Sequence, residues 1–240
     1  MDYFYCSPDK ISRESVLIDG EEFSHLVHVM RKKEGDEIRI IDGLGRAYDV
    51  RLGAIKKKMV RGAIAQSYKN HHEPFILVTL AVGILKNPSK FDFLVEKVTE
   101  LGVREIIPLR TKRTIPSQAK IGRWQKLALS AMKQCGRSYL PRIRELTSLD
   151  ALLQEGHAFD RRIVAHERGA NRSSLQDIPL GPGDSAIVLI GPEGGFSEEE
   201  FGLCVDAGFT PVSLGERRLR TETAAVVSAA FAVLRESSQR

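Results

Sequence analysis

The 240-residue sequence has no run of 18 apolar residues, so it offers no membrane-spanning segment. Its opening residues, MDYFYCSPDK, lack a basic stretch followed by an apolar one, and no secretory signal peptide is expected. Cysteine is scarce. Cys6, Cys135 and Cys204 are odd in number and widely spaced, which argues for a reducing, cytoplasmic setting and against a disulfide frame or zinc site. His25 and His28 stand three apart without a set of further ligands around them, so no metal is expected. Neither G-x-G-x-x-G nor a Walker loop occurs, which removes the two common phosphate-binding motifs and, with them, a nucleotide hydrolase. Internal repeats and low-complexity segments are also missing.

What is present is the composition of a globular chain, with 42% hydrophobic and 28% charged residues. The net charge of +5 is unevenly spread. Between Arg104 and Arg144 eleven Lys or Arg face one acid, Glu105, so that segment carries a net +10 and the rest of the chain a net −5. A basic segment in an otherwise acidic protein suggests a polyanion contact, RNA or DNA first; the alternative is a solvated helix face.

Residues 1–71 read as a small β-rich domain. DEIRIIDGLGRAYDVRLGAI alternates around a turn at Gly43 and Gly45, as a hairpin does, and several short strands in so few residues suggest a small barrel. Before it, EEFSHLVHVMRKKEGD predicts a short helix with Phe23, Leu26, Val27 and Met30 on one face. SYKNHHEP, closed by Pro74, marks the boundary. Residues 74–240 alternate strand and helix, which implies a parallel sheet covered by helices on both faces, an α/β fold. Ser197 with Glu200 predicts a capping box. From Ala224 to Leu234 the last helix has one polar residue, Ser228. Apolar all round, it is expected to be buried on all sides, tucked into the domain or into a subunit interface.

Two loops carry the functional signal. LIGPEGGFSEEE runs from a buried strand through a glycine-rich turn to a capped helix. Its exposed backbone groups can bind an adenine edge or a ribose without any phosphate. SLGERRLRTETAA also follows a strand and opens a helix, with Gly215 at the bend and Thr221 at the expected N-cap. In a parallel sheet such loops share the rim at the strands' carboxyl ends, where ligands bind, together with the end of RRIVAHE.

Together these two stretches resemble the RsmE family of ribosomal RNA methyltransferases, in the SPOUT superfamily. The resemblance covers the whole chain: FSHLVHVMRKKEGDEIRIIDGLGRAY is similar to the family's amino-terminal PUA-like RNA-binding barrel. KVTELGVREIIPLRTKRT and RWQKLALSAMKQCGRSYLPRI are similar to its internal signatures. GERRLR departs from it, placing Arg217 and Arg218 where an aliphatic residue more often follows the first Arg. The resemblance implies a SPOUT-type α/β trefoil-knot methyltransferase domain behind the PUA-like barrel. It also implies S-adenosylmethionine as cofactor and a homodimer. The reaction implied is methylation at N3 of a uridine in 16S ribosomal RNA, on an assembled 30S subunit. By matching position, the cofactor would be held by Ala165, His166, Ile190, Gly191, Pro192, Glu193, Gly194, Gly195, Leu214, Gly215, Leu219, Arg220, Thr221 and Thr223. Leu214 and Leu219 would sandwich the adenine.

The chemistry sets further expectations. Uracil N3–H must lose its proton to attack a methyl group, which calls for a base or for cations that stabilise the anion on O2 and O4. Arg220 is expected to stabilise that anion, and Glu193 either to accept the proton or to orient its loop. N3 is itself a nucleophile, so Cys135 is expected to be a packed small hydrophobe rather than a covalent catalyst. Arg31, Lys86, Arg113 and Arg137 are the candidate RNA contacts. A non-enzymatic RNA-binding factor is the rival reading, and the intact pair of loops speaks against it.

Overall fold

The computed structural model describes residues 2–116, 118–155, 158–166 and 173–234. By its internal contacts the chain divides into two units, Met1–Glu73 with Leu129–Leu140, and Pro74–Ala128 with Pro141–Arg240.

The first unit holds a curled five-stranded sheet in the order β1-β3-β4-β5-β2. Its strands are β1 (Tyr3–Tyr5), β2 (Ser15–Asp19), β3 (Glu37–Ile41), β4 (Arg46–Ile55) and β5 (Met59–Lys69). β1 lies parallel to β3 and the other pairings are antiparallel. Alternation puts Val16, Ile18, Ile38, Ile40, Val50 and Val60 inside with Phe4 and Leu26. The expected β3–β4 hairpin forms. Gly43 and Gly45 take φ of +74° and +99°, and Asp42 accepts the N–H groups of Leu44 (2.8 Å) and Arg46 (3.0 Å). The two edge strands approach one another where the Cys6 thiol donates to the Leu17 carbonyl at 3.4 Å.

The short helix departs from its expected face. Helix α1 (Gly20–Ser24) widens into a five-residue turn over His25–Val29, closed by Met30 N–H on the His25 carbonyl at 2.9 Å. The wider turn breaks the 3.6-residue register. Phe23 and Leu26 are therefore buried, but Met30 is exposed.

Residues 129–140, which the expected boundary at Pro74 places with the second domain, pack with the first unit. There Met132 packs with Ile41 and Ala47, and Leu129 and Leu140 border that cluster. Arg137 is buried and its Nη2 lies 2.6 Å from Glu73 Oε2; Glu73 Oε1 accepts the N–H groups of Ser138 (2.9 Å) and Tyr139 (2.7 Å).

In the second unit a parallel sheet runs β11-β13-β10-β12-β6-β7-β8, with β9 on β7. Its strands are β6 (Leu77–Gly83), β7 (Glu105–Arg110), β8 (Arg142–Ile143), β9 (Thr147–Ser148), β10 (Arg161–Ala165), β11 (Ser173–Ser174), β12 (Ser185–Ile190) and β13 (Thr210–Ser213). Among the described residues the α-helices that accompany it are α2 (Pro88–Glu100), α3 (Ile121–Cys135), α4 (Leu149–Glu155), α5 (Glu198–Asp206) and α6 (Thr221–Leu234). The first residues of α3 belong to this unit, where Trp124 stacks on Phe91 at 4.2 Å and donates to Asp92 at 3.1 Å.

The central strands β6 and β12 are buried on both faces. On one face Ala81, Ile107, Val164 and Ile187 meet Leu152 of α4 and Cys204 of α5. Against the other, α6 packs on β6, β12 and α2. The chain leaves β12 through α5, crosses to β13 on the far side of β10, and returns as α6. Small residues, Ala225 and Ala229 among them, let that helix approach the sheet closely. Its expected burial on all sides does not hold within one chain, since Val227 and Leu234 are exposed.

Candidate functional site

Strands β12, β10 and β13 are neighbours, and their carboxyl ends align, with Ala165 opposite both Ile190 and Val212. Parallel direction and register thus bring the loops after β12 and β13 to one rim, together with Ala165 and His166 at the end of β10. They enclose a cavity of about 540 Å³, within the range of small-molecule sites.

The loop after β12 owes its shape to missing side chains. A Cβ on Gly191 would stand 2.9 Å from the backbone of Gly195 and Phe196, and one on Gly83, at the end of β6, 2.3 Å from Pro192 N. Gly195 has φ +69° and donates its N–H to the Pro192 carbonyl at 2.8 Å. The expected capping box is present: Ser197 Oγ accepts Glu200 N–H at 3.2 Å and Ser197 N–H donates to Glu200 Oε2 at 2.8 Å. The same buried Glu200 takes the Lys112 N–H on its other oxygen at 2.6 Å, and Lys112 pairs with Glu199. One carboxylate therefore joins the loop after β7 to the start of α5.

Three further contacts hold the loop. Arg113 Nη1 donates to the Gly194 carbonyl at 2.6 Å. Lys86 N–H donates to Glu193 Oε1 at 3.0 Å. Thr221 Oγ1 donates to the Gly191 carbonyl at 3.1 Å. Thr221 is thus the first residue of α6 and not its N-cap; Arg220 supplies the first helical acceptor, to Ala224 N–H at 2.8 Å. The hydroxyl expected to cap the helix instead ties the two loops together. In the second loop Gly215 takes φ +111°. His166 is fixed by its N–H on the Val212 carbonyl (3.1 Å) and by stacking on Phe201 at 4.0 Å.

Every expected cofactor residue lines this cavity except Thr223, which is exposed on α6 outside the lining. Of the expected catalytic pair, Arg220 and Glu193 both line it. Glu193's contact with Lys86 N–H is the loop-orienting one. The RNA candidates separate. Arg113 lines the cavity, and Lys86 is exposed beside its loop. Arg31 is exposed in the first unit with φ +54°. The expectation for Arg137 is corrected: a guanidinium 2% exposed and paired with Glu73 has no face to offer RNA. Arg217 and Arg218, the departure from the family pattern, are exposed and line the cavity.

The sequence reading missed Lys90, Glu198 and Glu216 in the lining. Lys90 Nζ lies 3.2 Å from Glu222 Oε1, a pairing between α2 and α6 that only the fold creates. Five cations and three carboxylates line the site beside apolar Leu214, Leu219 and Ile190. No cysteine does; burial pushes the thiols of Cys6 and Cys204 up, to about 11 and about 12, which leaves both inert. No cluster of metal-binding side chains occurs among the described residues.

The chain matches two family descriptions, RNA methyltransferase domain over residues 71–233 and RNA methyltransferase PUA domain over residues 18–64. It is 32% identical over 218 residues to the ribosomal RNA small subunit methyltransferase E of Bacillus subtilis, covering 86% of this chain and 85% of that one. It is 29% identical to the protein of that name from Buchnera aphidicola, over 93% and 89% of the two chains. Among solved structures, the ribosomal RNA small subunit methyltransferase E of Neisseria gonorrhoeae, bound to S-adenosylmethionine, superposes with a TM-score of 0.85. Identity there is 31%, over 98% and 97% of the chains.

Proposed function

The chain belongs to the RNA methyltransferase family, in its ribosomal RNA small subunit methyltransferase E branch, and from that premise we propose that the cavity holds S-adenosylmethionine for transfer of a methyl group to uridine N3. The enzyme is an S-adenosylmethionine-dependent methyltransferase of small-subunit ribosomal RNA. The observation that carries the site assignment is the convergence of the loops after β12 and β13 and the end of β10, Ala165 and His166, on one cavity without a phosphate motif.

The residues present fit the cofactor. Leu214 and Leu219 supply apolar surface for an adenine, and Gly191 and Gly194 line the cavity without side chains, which leaves their backbone open to the ligand. S-adenosylmethionine supplies an electrophilic methyl on a sulfonium. The chain's own part is to position and to stabilise charge. Positioning supplies up to roughly 7–11 kcal/mol in favourable cases. Arg220, on the rim, stabilises the uracil anion as the N3 proton passes to solvent water. Glu193 keeps the glycine loop in place through Lys86 N–H.

In this reading residues 1–71, joined by 129–140, form the RNA-holding domain, and the rest of 74–240 the catalytic one. The knotted path expected of the family is supported by the return of α6 to β6 and β12 after the crossing to β13. A homodimer is supported by exposed Phe93 and Val227 on the packed pair α2 and α6; sedimentation at a single 26.7 kDa chain mass would contradict it. No helix among the described residues is long and apolar enough to cross a membrane. A ribosomal RNA substrate supports a cytoplasmic location.

The test is methyl transfer to small-subunit particles that lack the modification, with nucleoside mass spectrometry of the RNA. N3-methyluridine at one site is expected, with a short naked oligonucleotide a poor substrate because folded RNA is read largely by shape. Methylation at carbon 5 or at a ribose 2′-OH would overturn the assigned acceptor atom.

A further inference from the structure

Outside the cavity, the first unit gathers five flat side chains. The rings of His71 and His72 stack with centroids 3.8 Å apart and planes inclined by 25°. Tyr68 and Tyr3 flank His71 at 5.5 and 6.1 Å. The Arg39 guanidinium carbon lies 4.9 Å from the centre of the Tyr68 ring and 5.9 Å from that of Tyr3.

The polar atoms of this group are engaged internally. Tyr3 Oη and Arg39 Nη1 stand 3.1 and 3.3 Å from His71 Nε2, an arrangement that fits a neutral imidazole accepting there. Burial, then the charges of His72 and Arg39, holds the His71 pKa below the ordinary histidine value. Arg39 pairs with Asp49 at 2.6 Å, and Tyr68 Oη donates to the other Asp49 oxygen at 2.7 Å. The turn carrying the two histidines is tied down. Asn70 N–H donates to the Gly45 carbonyl at 2.6 Å, and Ser138 N–H and Oγ donate to the His71 carbonyl at 3.1 and 2.9 Å. His72 is exposed and takes φ +55°.

A compensated, rigidly backed group whose outermost member is an exposed aromatic ring has one unsatisfied capacity left, stacking. We infer that the exposed face of His72 is a stacking site for an unpaired base of the RNA substrate. Bases splayed from RNA loops stack on aromatic rings, histidine included, and such stacking tolerates any base. A phosphate is the poorer fit, because the Arg39 charge is already met by Asp49. Arg46 and Lys69, register partners on β4 and β5 at the edge of the turn, are exposed and have no ion-pair partner among the described residues. They suit the backbone on either side of a stacked base and favour nucleic acid over an apolar protein partner. The inference rests on ribosomal RNA being the substrate.

The experiment compares His72→Asn and His72→Phe. Asn tolerates a left-handed backbone, so the first removes the ring without imposing strain; the second keeps a ring and loses the ring nitrogens. Binding to unmodified small-subunit particles is expected to weaken about fivefold to a hundredfold in His72→Asn, the range of base–aromatic stacking. KM for the particle should rise with kcat and S-adenosylmethionine affinity unchanged, and His72→Phe should stay close to wild type. His72→Gly, which suits the same backbone, should match His72→Asn. Wild-type affinity in His72→Asn overturns the inference alone, as does an equal loss in His72→Phe. A wild-type protein that neither binds nor methylates the particle overturns the proposed function as well.

Discussion

At the scale of single residues, the two motif loops were legible because their chemistry is local. Glycines at 191, 194 and 195 fall within one short stretch and the Arg220-Thr221 pair within another, and the two stretches meet at one cavity. Residues whose role depends on distant partners were not legible. Lys90 gives no sign of pairing with Glu222, and charge alone cannot separate a buried Arg137 from an exposed Arg113. Glu193 offered two readings, and its contact with Lys86 N–H decides which is testable. Glu193→Gln keeps a carbonyl acceptor at that position, so turnover within about threefold of wild type is expected, whereas Glu193→Ala should weaken cofactor binding about fivefold or more. Steady-state kinetics with calorimetric cofactor titration separates the two; a near-inactive Glu193→Gln with intact cofactor binding would restore the carboxylate as base. Arg220→Ala should lower kcat by about 10²–10³-fold, the usual cost of removing one stabiliser of a developing anion. Single-turnover kinetics reads this directly, and unchanged chemistry would remove Arg220 from the reaction.

At the scale of elements, long periodic segments were readable and short ones were not. The strands Leu77–Gly83 and Ser185–Ile190 announce themselves as apolar runs, and Asn87-Pro88 and Ser197-x-x-Glu200 announce the starts of α2 and α5. Strands of two residues, β8, β9 and β11, have no period to detect, and α4 has barely two turns. The wide turn after α1 shows a different limit: its buried positions follow a five-residue bond pattern that a 3.6-residue template cannot anticipate. Two predictions belong here. Gly83→Ala places a methyl against Pro192 of the neighbouring loop. It should cost about 1–3 kcal/mol of stability. It should also lower cofactor affinity by about tenfold through displacement of the glycine loop. Urea unfolding and cofactor titration check both, and wild-type affinity would show that the contact does not set the loop. Glu73→Gln leaves Arg137 buried without its counter-charge. A loss of about 3–5 kcal/mol is expected in denaturant unfolding, and a loss below about 1 kcal/mol would mean that the pair is not essential to that unit.

At the scale of the whole molecule, the α/β class and its parallel sheet followed from the alternation of apolar strands with capped helices. The assignment of residues 129–140 to the first unit did not, because their partners Ile41, Ala47 and Glu73 lie far away in sequence and nothing local distinguishes them from the helix that precedes them. The last helix carried the opposite lesson. Its apolar character was plain, yet Val227 and Leu234 remain exposed in one chain, which is why the proposed dimer is the natural place for them. The functional claim rests on sheet order, since neighbouring β12, β10 and β13 put two loops and the strand end at Ala165 and His166 on one rim. The most direct test of that claim is calorimetric titration of the protein with S-adenosylmethionine, with ATP and NAD as controls. Binding of S-adenosylmethionine at micromolar concentration, and of neither phosphate-bearing nucleotide, is the expected result. Binding of ATP or NAD as tight as that of S-adenosylmethionine would contradict a site built for an adenosyl group without phosphates.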